Sequence, residues 1–396
     1  MASSSTSPLR ILLWSPNGSG LHYGGPGMMA YRLYSKAVPG RFEVTLVHGN
    51  PKQADYPLFR RQHLIAPLDK LNIRQQWTFV HRGQRWIDEH AKEFDIFHGL
   101  QGFDLTVGPA FRAQRKNLPA AVMLATYNND LADKTGWKRL LALPKRRRRM
   151  LRELGGIVAI SDAIADELLG FGFPEEKIAR IPIGVDTDHF RPPVNESERR
   201  QQRAELGWPD RPTIIIVGNV TRNKNALLLV EALGMIQRRG IDAQLAIVGP
   251  EDDPPFAAEI RTRAAELKLT DRVIWAGFTT DPAPLFRAAD VFSLPSASEG
   301  MPSSLVEALA SGLPAVTTAI SGATDLVRDG ITGRLIERRL EPAAEALASY
   351  LDSPDLARAH GQAGRDIILQ RCSATAVLDA HERLFRRIMT MSRIRE

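Results

Sequence analysis

The sequence predicts an α/β protein built from two doubly wound domains. Short apolar runs alternate with longer amphipathic stretches, and turns rich in glycine, asparagine, serine or proline separate them. Because the runs are apolar on consecutive residues, they are typical of parallel strands that are covered by helices on both faces. A polar segment at residues 183–212, which contains four prolines, separates two complete series of this kind.

The predicted strands follow the apolar runs in chain order. In the first series the runs are RILLWS, FEVTLVHG, FDIFHG, AAVMLAT, GIVAIS and ARIPIG, and in the second they are TIIIVGN, AQLAIVG, RVIWAGF, DVFSLP and PAVTT. We place the boundary near Val185, which gives domains at residues 1–185 and 186–373, and we expect a helix at about 374–396 to pack back on the first domain. Doubly wound sheets bind ligands at the carboxyl ends of their strands, so a ligand is expected in the cleft between the domains.

Length and composition limit the class of protein. The chain has 396 residues, of which 43% are hydrophobic and 24% are charged, as in ordinary globular proteins. Cys372 is the one cysteine, which excludes a disulfide framework and a multi-cysteine metal site. The apolar run near the N-terminus is too short for a secretion signal, and no stretch approaches the ~20 apolar residues of a membrane span. We therefore expect a cytoplasmic protein.

A basic run within a predicted helix points to anionic partners. The net charge of the chain is +7, and the run consists of Lys145, Arg146, Arg147, Arg148 and Arg149. It is either a solvated helix face or a surface for anionic lipid or a phosphorylated acceptor, because basic clusters on amphipathic helices bind such surfaces. Nucleic acid is disfavoured, since no aromatic platform accompanies the run. Peripheral attachment to the inner face of a membrane is thus one expectation.

The first strand-to-helix turn, SPNGSGLHYGGPGMMAY, is rich in glycine. It contains Gly24 and Gly25 but does not spell GxGxxG, and no GxxxxGK[ST] motif occurs in the chain. After the second strand His48 and Asn50 occupy the region where a dinucleotide fold carries an acidic residue, so nicotinamide binding is disfavoured. The glycines either form a tight turn or let the backbone approach a ligand, and we favour the second interpretation.

A second candidate anion site follows the strand TIIIVGN. Arg222 and Lys224 lie in the turn after this strand, next to a predicted helix start at Asn223 or Asn225. Two cations there would add to the positive end of the helix dipole. Basic residues are also common in such turns, so this pattern alone is weak.

The stretch SASEGMPSSLVEALASGLP carries two carboxylates around a helix start. Pro302 and Gly312 predict a helix from about Pro302 to Ser311, with Glu299 before it and Glu307 one turn inside. The free amides of the first turn form a seat for phosphate: Ser303, Ser304 and Leu305. Carboxylate, amides and carboxylate match the hydroxyls, phosphates and hydroxyls of a nucleotide sugar. An isolated pair of surface glutamates is the alternative interpretation.

Three passages together resemble the retaining glycosyltransferases of family 4, which have the GT-B fold of two Rossmann-like domains facing across a cleft. They are AISDAIADELLGFGFPEEKIARIPIGVDTDHFRPP, VGNVTRNKNALLLVEAL and the region from DRVIWAGF to GRLIE, and the loop HYGGPG is similar to the glycine loop of the family. The resemblance extends from Leu9 to about Glu337.

The resemblance implies roles for individual residues. Glu299 would face the donor sugar and act in catalysis with Lys224, which matches the phosphate-binding lysine of the family, and His98 is a candidate general base. The implied donor contacts also include Gly24, Gly25, Asn219, Arg222, Phe278, Gly300, Met301, Pro302, Ser303, Ser304, Leu305 and Glu307.

The chain departs from the family pattern at several positions. Asn219 replaces the usual arginine five residues before the lysine, with Arg222 as a substitute from inside the loop. Asn128 or Asn129 stands where many members have histidine. Leu100 replaces a second histidine, and Asp325 replaces a common glutamate.

The implied reaction is metal-independent transfer of a sugar from a UDP- or GDP-sugar to a hydroxyl of a glycan, a lipid-linked or a small-molecule acceptor. No cofactor is expected, because Asp252 and Asp253 are adjacent in a loop and do not form a DxD pair in the cleft. The setting would be bacterial polysaccharide or glycolipid assembly. A GT-B-fold sugar-nucleotide epimerase and a non-catalytic sugar-nucleotide-binding module are the alternatives.

Overall fold

The computed structural model describes residues 7–20, 25–37, 40–68, 72–125 and 143–394. Of the residues singled out above, three lie outside this part of the chain: Gly24, Asn128 and Asn129.

The chain divides into two compact units. Unit 1 comprises residues 1–184 together with 374–396, and unit 2 comprises residues 185–373. The chain therefore passes from unit 1 to unit 2 after Gly184 and returns after Ser373.

Unit 1 is built on a parallel sheet with helices on its faces. Its strands are β1 (Leu9–Trp14), β2 (Phe42–His48), β3 (Phe59–Leu64), β4 (Ile96–Leu100), β5 (Ala120–Leu124), β6 (Gly156–Ala159) and β7 (Ile178–Arg180). Their order in the sheet is β3-β2-β1-β4-β5-β6-β7. The inner strands are almost entirely buried, as expected for a sheet covered on both sides.

The connecting helices of unit 1 are α1 (Pro26–Ser35), α2 (Ile73–His90), α3 (Asp104–Arg115), α4 (Leu143–Glu153) and α5 (Asp162–Gly170). Of these, α2 packs on α3 and α3 packs on α4, so these three helices form one layer on the sheet.

Unit 2 repeats the design around a second parallel sheet. Its strands are β8 (Thr213–Val217), β9 (Gln244–Val248), β10 (Val273–Gly277), β11 (Val291–Leu294), β12 (Ala315–Thr318) and β13 (Gly333–Ile336), in the order β10-β9-β8-β11-β12-β13. Its helices are α6 (Glu196–Glu205), α7 (Ala226–Arg238), α8 (Pro254–Glu266), α9 (Ala283–Ala288), α10 (Ser303–Ala310), α11 (Leu340–Asp352) and α12 (Pro354–Arg371). Short 3-10 helices occur at Ala91–Glu93, Glu175–Lys177 and Thr270–Arg272.

The last helix, α13 (Ala374–Arg393), belongs to unit 1. The Arg41 guanidinium donates hydrogen bonds of 2.5 Å to Asp379 and to Glu382 of this helix. Leu384 and Ile388 of α13 lie against the start of β6. Among the helices that the structure describes, none is long and apolar enough to span a membrane.

The sequence pattern missed two strands. β3 reads FRRQHL, and its residues are mostly polar because it lies at the edge of its sheet. β13 has only four residues and lies at an edge of the sheet of unit 2, and its two central residues are half-buried. Edge strands are short and polar because one side has no neighbouring strand, so they carry a weak apolar signal.

Candidate functional site

The predicted catalytic residues of unit 2 follow two neighbouring strands. β8 and β11 pair in parallel, with Ile214 beside Val291. The strand order reverses here, because β9 and β10 lie on one side of this pair and β12 and β13 lie on the other. Such a switch point leaves a crevice at the carboxyl ends of the two strands, where doubly wound folds bind their ligands.

The loop after β8 delivers Lys224. Gly218 has a φ of 145°, and the Lys224 side chain lies across it, so that a Cβ atom at position 218 would come within 3.1 Å of Lys224 Cε. A glycine is therefore required to let the lysine fold back over the strand end. The loop ends at Asn225, which has a φ of 58° and caps α7.

Lys224 meets Glu299 from the loop after β11. The Lys224 Nζ atom lies 2.7 Å from Glu299 Oε1, and the two side chains are only 18% and 17% exposed. Asn223 fastens the two loops together, because its carbonyl accepts from the amide of Ala297 at 3.0 Å and its Nδ2 donates to the Ser298 carbonyl at 3.0 Å. The structure thus brings two of the predicted catalytic side chains into contact.

Helix α10 follows this loop. It begins at Ser303, one residue after the predicted start, and Pro302 at its N-cap makes no side-chain capping bond. Of the three amides expected to be free, that of Leu305 donates to the Pro302 carbonyl at 3.1 Å. The Leu305 side chain is fully buried. Of the three predicted phosphate contacts, the Leu305 amide therefore already has a backbone partner, while the amides of Ser303 and Ser304 belong to the open first turn of α10.

The turn that leads into α10 is braced from the loop after β12. Ser321 Oγ donates to the Gly300 carbonyl at 2.8 Å. Gly322 has a φ of 73°, and a Cβ atom there would lie 2.6 Å from Met301 Cα. Met301 itself is buried. Any side chain at position 322 would push this turn away, so its geometry depends on that glycine.

Glu307 and the far end of α10 are held inside unit 2. The Glu307 side chain is 5% exposed and Ser304 is 9% exposed. At the C-terminal end, the guanidinium of Arg365 donates to the carbonyls of Ala310 and, at 3.0 Å, of Phe190. A cation at this end complements the helix dipole and fixes α10 against α12.

Two side chains that were predicted to contact the donor, Asn219 and Arg222, bond to acidic residues of unit 2. Asn219 hydrogen-bonds to Asp252. Arg222 pairs with Glu259 at 2.7 Å, and its guanidinium lies 4.8 Å from the centre of the Phe256 ring in α8. Arg222 is thus engaged by an acidic and an aromatic partner on α8, and its role as a substitute for the missing family arginine stays a prediction.

Phe278 and Gly25 were also predicted to contact the donor, and these two contacts stay predictions. Phe278 lies just after β10 and is 63% exposed. Gly25, which belongs to unit 1, has a φ of 56° and caps α1, where a Cβ atom would meet nothing within 4 Å.

The structure places His98, the predicted general base, inside unit 1 and not at an exposed strand end. Its side chain is fully buried in the middle of β4, where Nδ1 shares a 2.7 Å hydrogen bond with the Tyr34 hydroxyl. Its ring also packs against His381 and Phe385 of α13. Burial and the neighbouring His381 hold the pKa of His98 well below its usual range. His98 is therefore packed beneath α13 as a buried side chain of unit 1, which is the environment of a structural histidine.

The basic run in α4 is split by the helical period. Arg147 and Arg148 are each 8% exposed. Arg147 forms a bidentate pair with Asp104 of α3, and Arg148 lies 4.7 Å from the centre of the Phe171 ring. The other three members of the run are exposed: Lys145, Arg146 and Arg149. The expectation of one continuous basic surface is therefore wrong for two of its five residues.

One residue of the site was missed. Arg338, two residues after β13, donates from Nε to the Pro295 carbonyl at 3.0 Å and from Nη2 to the Arg222 carbonyl at 2.6 Å. It therefore joins the loops that carry Lys224 and Glu299. Every residue has a backbone carbonyl, so the sequence gives no signal for which carbonyls an arginine will bind once the chain is folded.

Comparisons with known proteins decide the family. The profile of Glycosyl transferases group 1 matches residues 198–367, and that of Glycosyltransferase Family 4 matches residues 23–189. The GDP-mannose-dependent alpha-(1-6)-phosphatidylinositol monomannoside mannosyltransferase of Mycobacterium tuberculosis (strain ATCC 25618 / H37Rv) is 30% identical over 273 residues, which are 65% of this chain and 68% of that protein. This chain belongs to the family 4 glycosyltransferases.

Solved structures of glycosyltransferases share the fold of this chain. A glycosyltransferase from Rickettsia africae ESF-5 superposes with a TM-score of 0.78 at 19% identity, covering 97% of this chain and 99% of that one. Anabaena Alr3699/HepE in complex with UDP and glucose superposes with a TM-score of 0.75 at 16% identity, covering 95% and 98%. The predicted two-domain α/β GT-B fold is confirmed, and the group 1 match lies within unit 2.

Within the described residues of this glycosyltransferase, no three or more His, Cys, Asp and Glu side chains are grouped to hold a metal ion. The polar groups described above include the Lys224 ammonium, the Glu299 carboxylate, the first backbone amides of α10 and the buried carboxylate of Glu307. This set can pair with a substrate that carries both anionic oxygens and hydroxyls.

Proposed function

We propose that this glycosyltransferase moves a hexosyl group from a nucleoside diphosphate sugar to an acceptor hydroxyl, with retention of the anomeric configuration. The 2.7 Å contact between Lys224 and Glu299 at the switch point of unit 2 carries the proposal. A lysine suits the diphosphate, and a carboxylate suits the sugar hydroxyls. Since the two side chains already touch, a donor whose sugar and phosphate are adjacent would exchange their mutual bond for one bond to each end.

Electrostatic stabilisation provides the main rate effect in this proposal. As the bond from the anomeric carbon to the diphosphate oxygen breaks, positive charge grows on the sugar ring and negative charge grows on the leaving diphosphate. The Lys224 ammonium and the N-terminal amides of α10 would oppose that negative charge, because fixed charges and dipoles act strongly in a partly buried site.

The bonds and protons balance without an enzymic base. The acceptor oxygen bonds to the anomeric carbon on the face that the diphosphate leaves, and the acceptor proton passes to the departing phosphate oxygen. In this proposal Glu299 orients the sugar and is not the nucleophile of a covalent intermediate. The burial of His98 beneath α13 supports this route, because it leaves that side chain poorly placed to act as a base.

We propose further that the reaction needs no metal ion. Lys224 and the α10 dipole supply positive charge where a bound cation would otherwise neutralise the diphosphate. Turnover that is unchanged by a chelator supports this, and activity that returns only with a divalent cation contradicts it.

The donor and acceptor classes come from relatives. One relative is named for GDP-mannose and a phosphatidylinositol mannoside, and another, from Streptococcus pneumoniae, is named alpha-monoglucosyldiacylglycerol synthase. We therefore propose a UDP- or GDP-sugar donor and a glycan or lipid-linked acceptor, in polysaccharide or glycolipid assembly.

A thermal-shift panel of UDP, GDP, UDP-glucose and GDP-mannose tests the donor site, since a bound ligand raises the midpoint of unfolding. The nucleotide of the preferred donor should stabilise the wild type, and Glu307→Gln should weaken its binding about 10- to 100-fold through loss of a charge-assisted bond to the ribose. Glu345→Gln is the matched control, because Glu345 is an exposed residue of α11, and this variant should bind normally.

Incubation with the preferred donor then separates the alternatives. Release of nucleoside diphosphate that depends on an acceptor supports transfer. An altered sugar still joined to the nucleotide would indicate an epimerase, and binding without turnover would indicate a binding module. Equal binding by wild type and Glu307→Gln contradicts the assignment of the ribose contact.

We also propose that the layer formed by α2, α3 and α4 contacts an anionic membrane that carries the acceptor. Trp77 and Ile73 on α2 are 68% and 75% exposed. The same layer carries exposed cations that form no ion pair within the described residues: Arg74, Arg82, Arg85, Lys145, Arg146 and Arg149. Aromatic and aliphatic side chains flanked by arginine are typical of helices that lie in a membrane interface.

Sedimentation with vesicles of phosphatidylcholine and phosphatidylglycerol tests this surface. The wild type should sediment at low salt and less so at about 1 M salt, where the Debye length falls to ~3 Å. A triple variant, Arg74→Gln, Arg82→Gln and Arg85→Gln, should lose most of that binding. The control on unit 2, Arg238→Gln, Arg239→Gln and Lys268→Gln, removes the same charge and should not; an equal loss in both contradicts the proposal.

A further inference from the structure

The guanidinium of Arg338 connects the two loops that supply the proposed chemistry. Its Nε donates to the carbonyl of Pro295, the first residue after β11, at 3.0 Å. Its Nη2 donates to the carbonyls of Arg222 and Asn223 at 2.6 Å and 3.3 Å. These two carbonyls immediately precede Lys224 in the chain.

The path from Arg338 to the reacting groups is short. Asn223, whose carbonyl Arg338 holds, also receives the amides of Ala297 and Ser298 at 3.0 Å and 3.2 Å, through its carbonyl and its Oδ1 respectively. Its Nδ2 approaches Glu299 Oε1 at 3.4 Å. A single arginine therefore restrains the backbone on both sides of the contact between Lys224 and Glu299.

Only the shape of a guanidinium serves this purpose. Arginine presents five N–H donors in a flat fork, and here Nε and Nη2 reach carbonyls of two different loops. A lysine ammonium on a flexible stem is a point donor and would not hold the same two directions at once. Arg338 has no carboxylate partner among these bonds, so its role there is to order backbone.

We propose that Arg338 is a positioning residue that keeps Lys224 and Glu299 in register for the donor. This role rests on the proposed function for its effect on catalysis, while its effect on the loops does not. A displacement of about 1 Å in a reacting group can lower a rate about 100-fold. Loss of Arg338 should therefore reduce turnover more than it reduces nucleotide binding, which also uses α10.

Hydrogen exchange of the protein without ligand tests the structural half of the proposal. Arg338→Gln and Arg338→Lys should both raise exchange in peptides that cover residues 219–226 and 295–300, because the amides of Ala297 and Ser298 lose their support. Arg339→Gln is the matched control, since Arg339 is adjacent and bonds instead to Glu337. Unchanged exchange in both Arg338 variants, or an equal rise in Arg339→Gln, overturns the proposal.

Kinetics with the preferred donor test the other half. We expect kcat to fall about 10- to 100-fold in both Arg338 variants, with affinity for UDP or GDP changed less than about threefold. The lysine variant retains the positive charge, so a loss that it shares with glutamine assigns the effect to geometry. Full recovery of kcat in Arg338→Lys would show that charge alone matters and would overturn the positioning role. If no donor turns over in the wild type, the proposed function fails while the exchange result still judges the loops.

Discussion

Replacing Lys224 with methionine will lower the turnover of the glycosyltransferase about 100- to 1000-fold. The ammonium is 18% exposed and lies 2.7 Å from Glu299, where it would meet the leaving diphosphate. Removal of one group that stabilises developing negative charge has effects of this size in other enzymes. Methionine keeps an unbranched side chain as far as Cε, the atom that lies over Gly218, so the fold there should survive.

The measurement is single-turnover release of nucleoside diphosphate. Lys268→Met is the matched control, because Lys268 is the other lysine of unit 2, is exposed, and lies at the end of α8. The control should turn over at the wild-type rate. If Lys224→Met did so as well, while melting within a few degrees of the wild type, the assigned site would be wrong.

Replacing Asp290 with alanine will destabilise unit 2 by about 3 kcal/mol, since removal of one partner from a buried ion pair leaves the other charge uncompensated. Asp290 immediately precedes β11, and its Oδ2 accepts from Arg203 at 2.7 Å and from the amide of Thr213 at 2.6 Å. Its Oδ1 accepts from Arg199 at 2.7 Å. The Arg203 side chain is only 5% exposed.

Urea unfolding followed by circular dichroism provides the test. The control is Asp210→Ala, because Asp210 bonds to the same arginine at 2.8 Å but is 56% exposed, and exposed pairs contribute less than about 1 kcal/mol. The two variants should therefore differ clearly in their urea midpoints. Similar midpoints would mean that the network around Arg203 does not hold β11 to β8.

The switch point of unit 2 was predictable because its signals are local. The runs TIIIVGN and DVFSLP are buried strands, and the residues that follow them, Lys224 and Glu299, meet as the doubly wound pattern implies. The start of α10 was predicted within one residue, since proline marks a first turn.

The features that the sequence did not predict have a common physical cause, because each depends on a contact with residues far away in the chain. His98 is buried because α13, more than 270 residues later, lies on β4. Arg147 leaves the basic surface because Asp104 lies 43 residues before it. Arg338 bonds to carbonyls 43 and 116 residues away. Local composition contains no record of such contacts.

The return of the chain to unit 1 orders events during synthesis. Every strand and helix of unit 2 precedes α13 in the chain, so the sheet of unit 2 and the loops of Lys224 and Glu299 can form without it. Unit 1 then still lacks α13, and His98 on β4 and the partners of Arg41 are unmet. Unit 1 is thus closed by a helix that is made only after all of unit 2, and until that helix packs, the apolar surface beneath it has no cover.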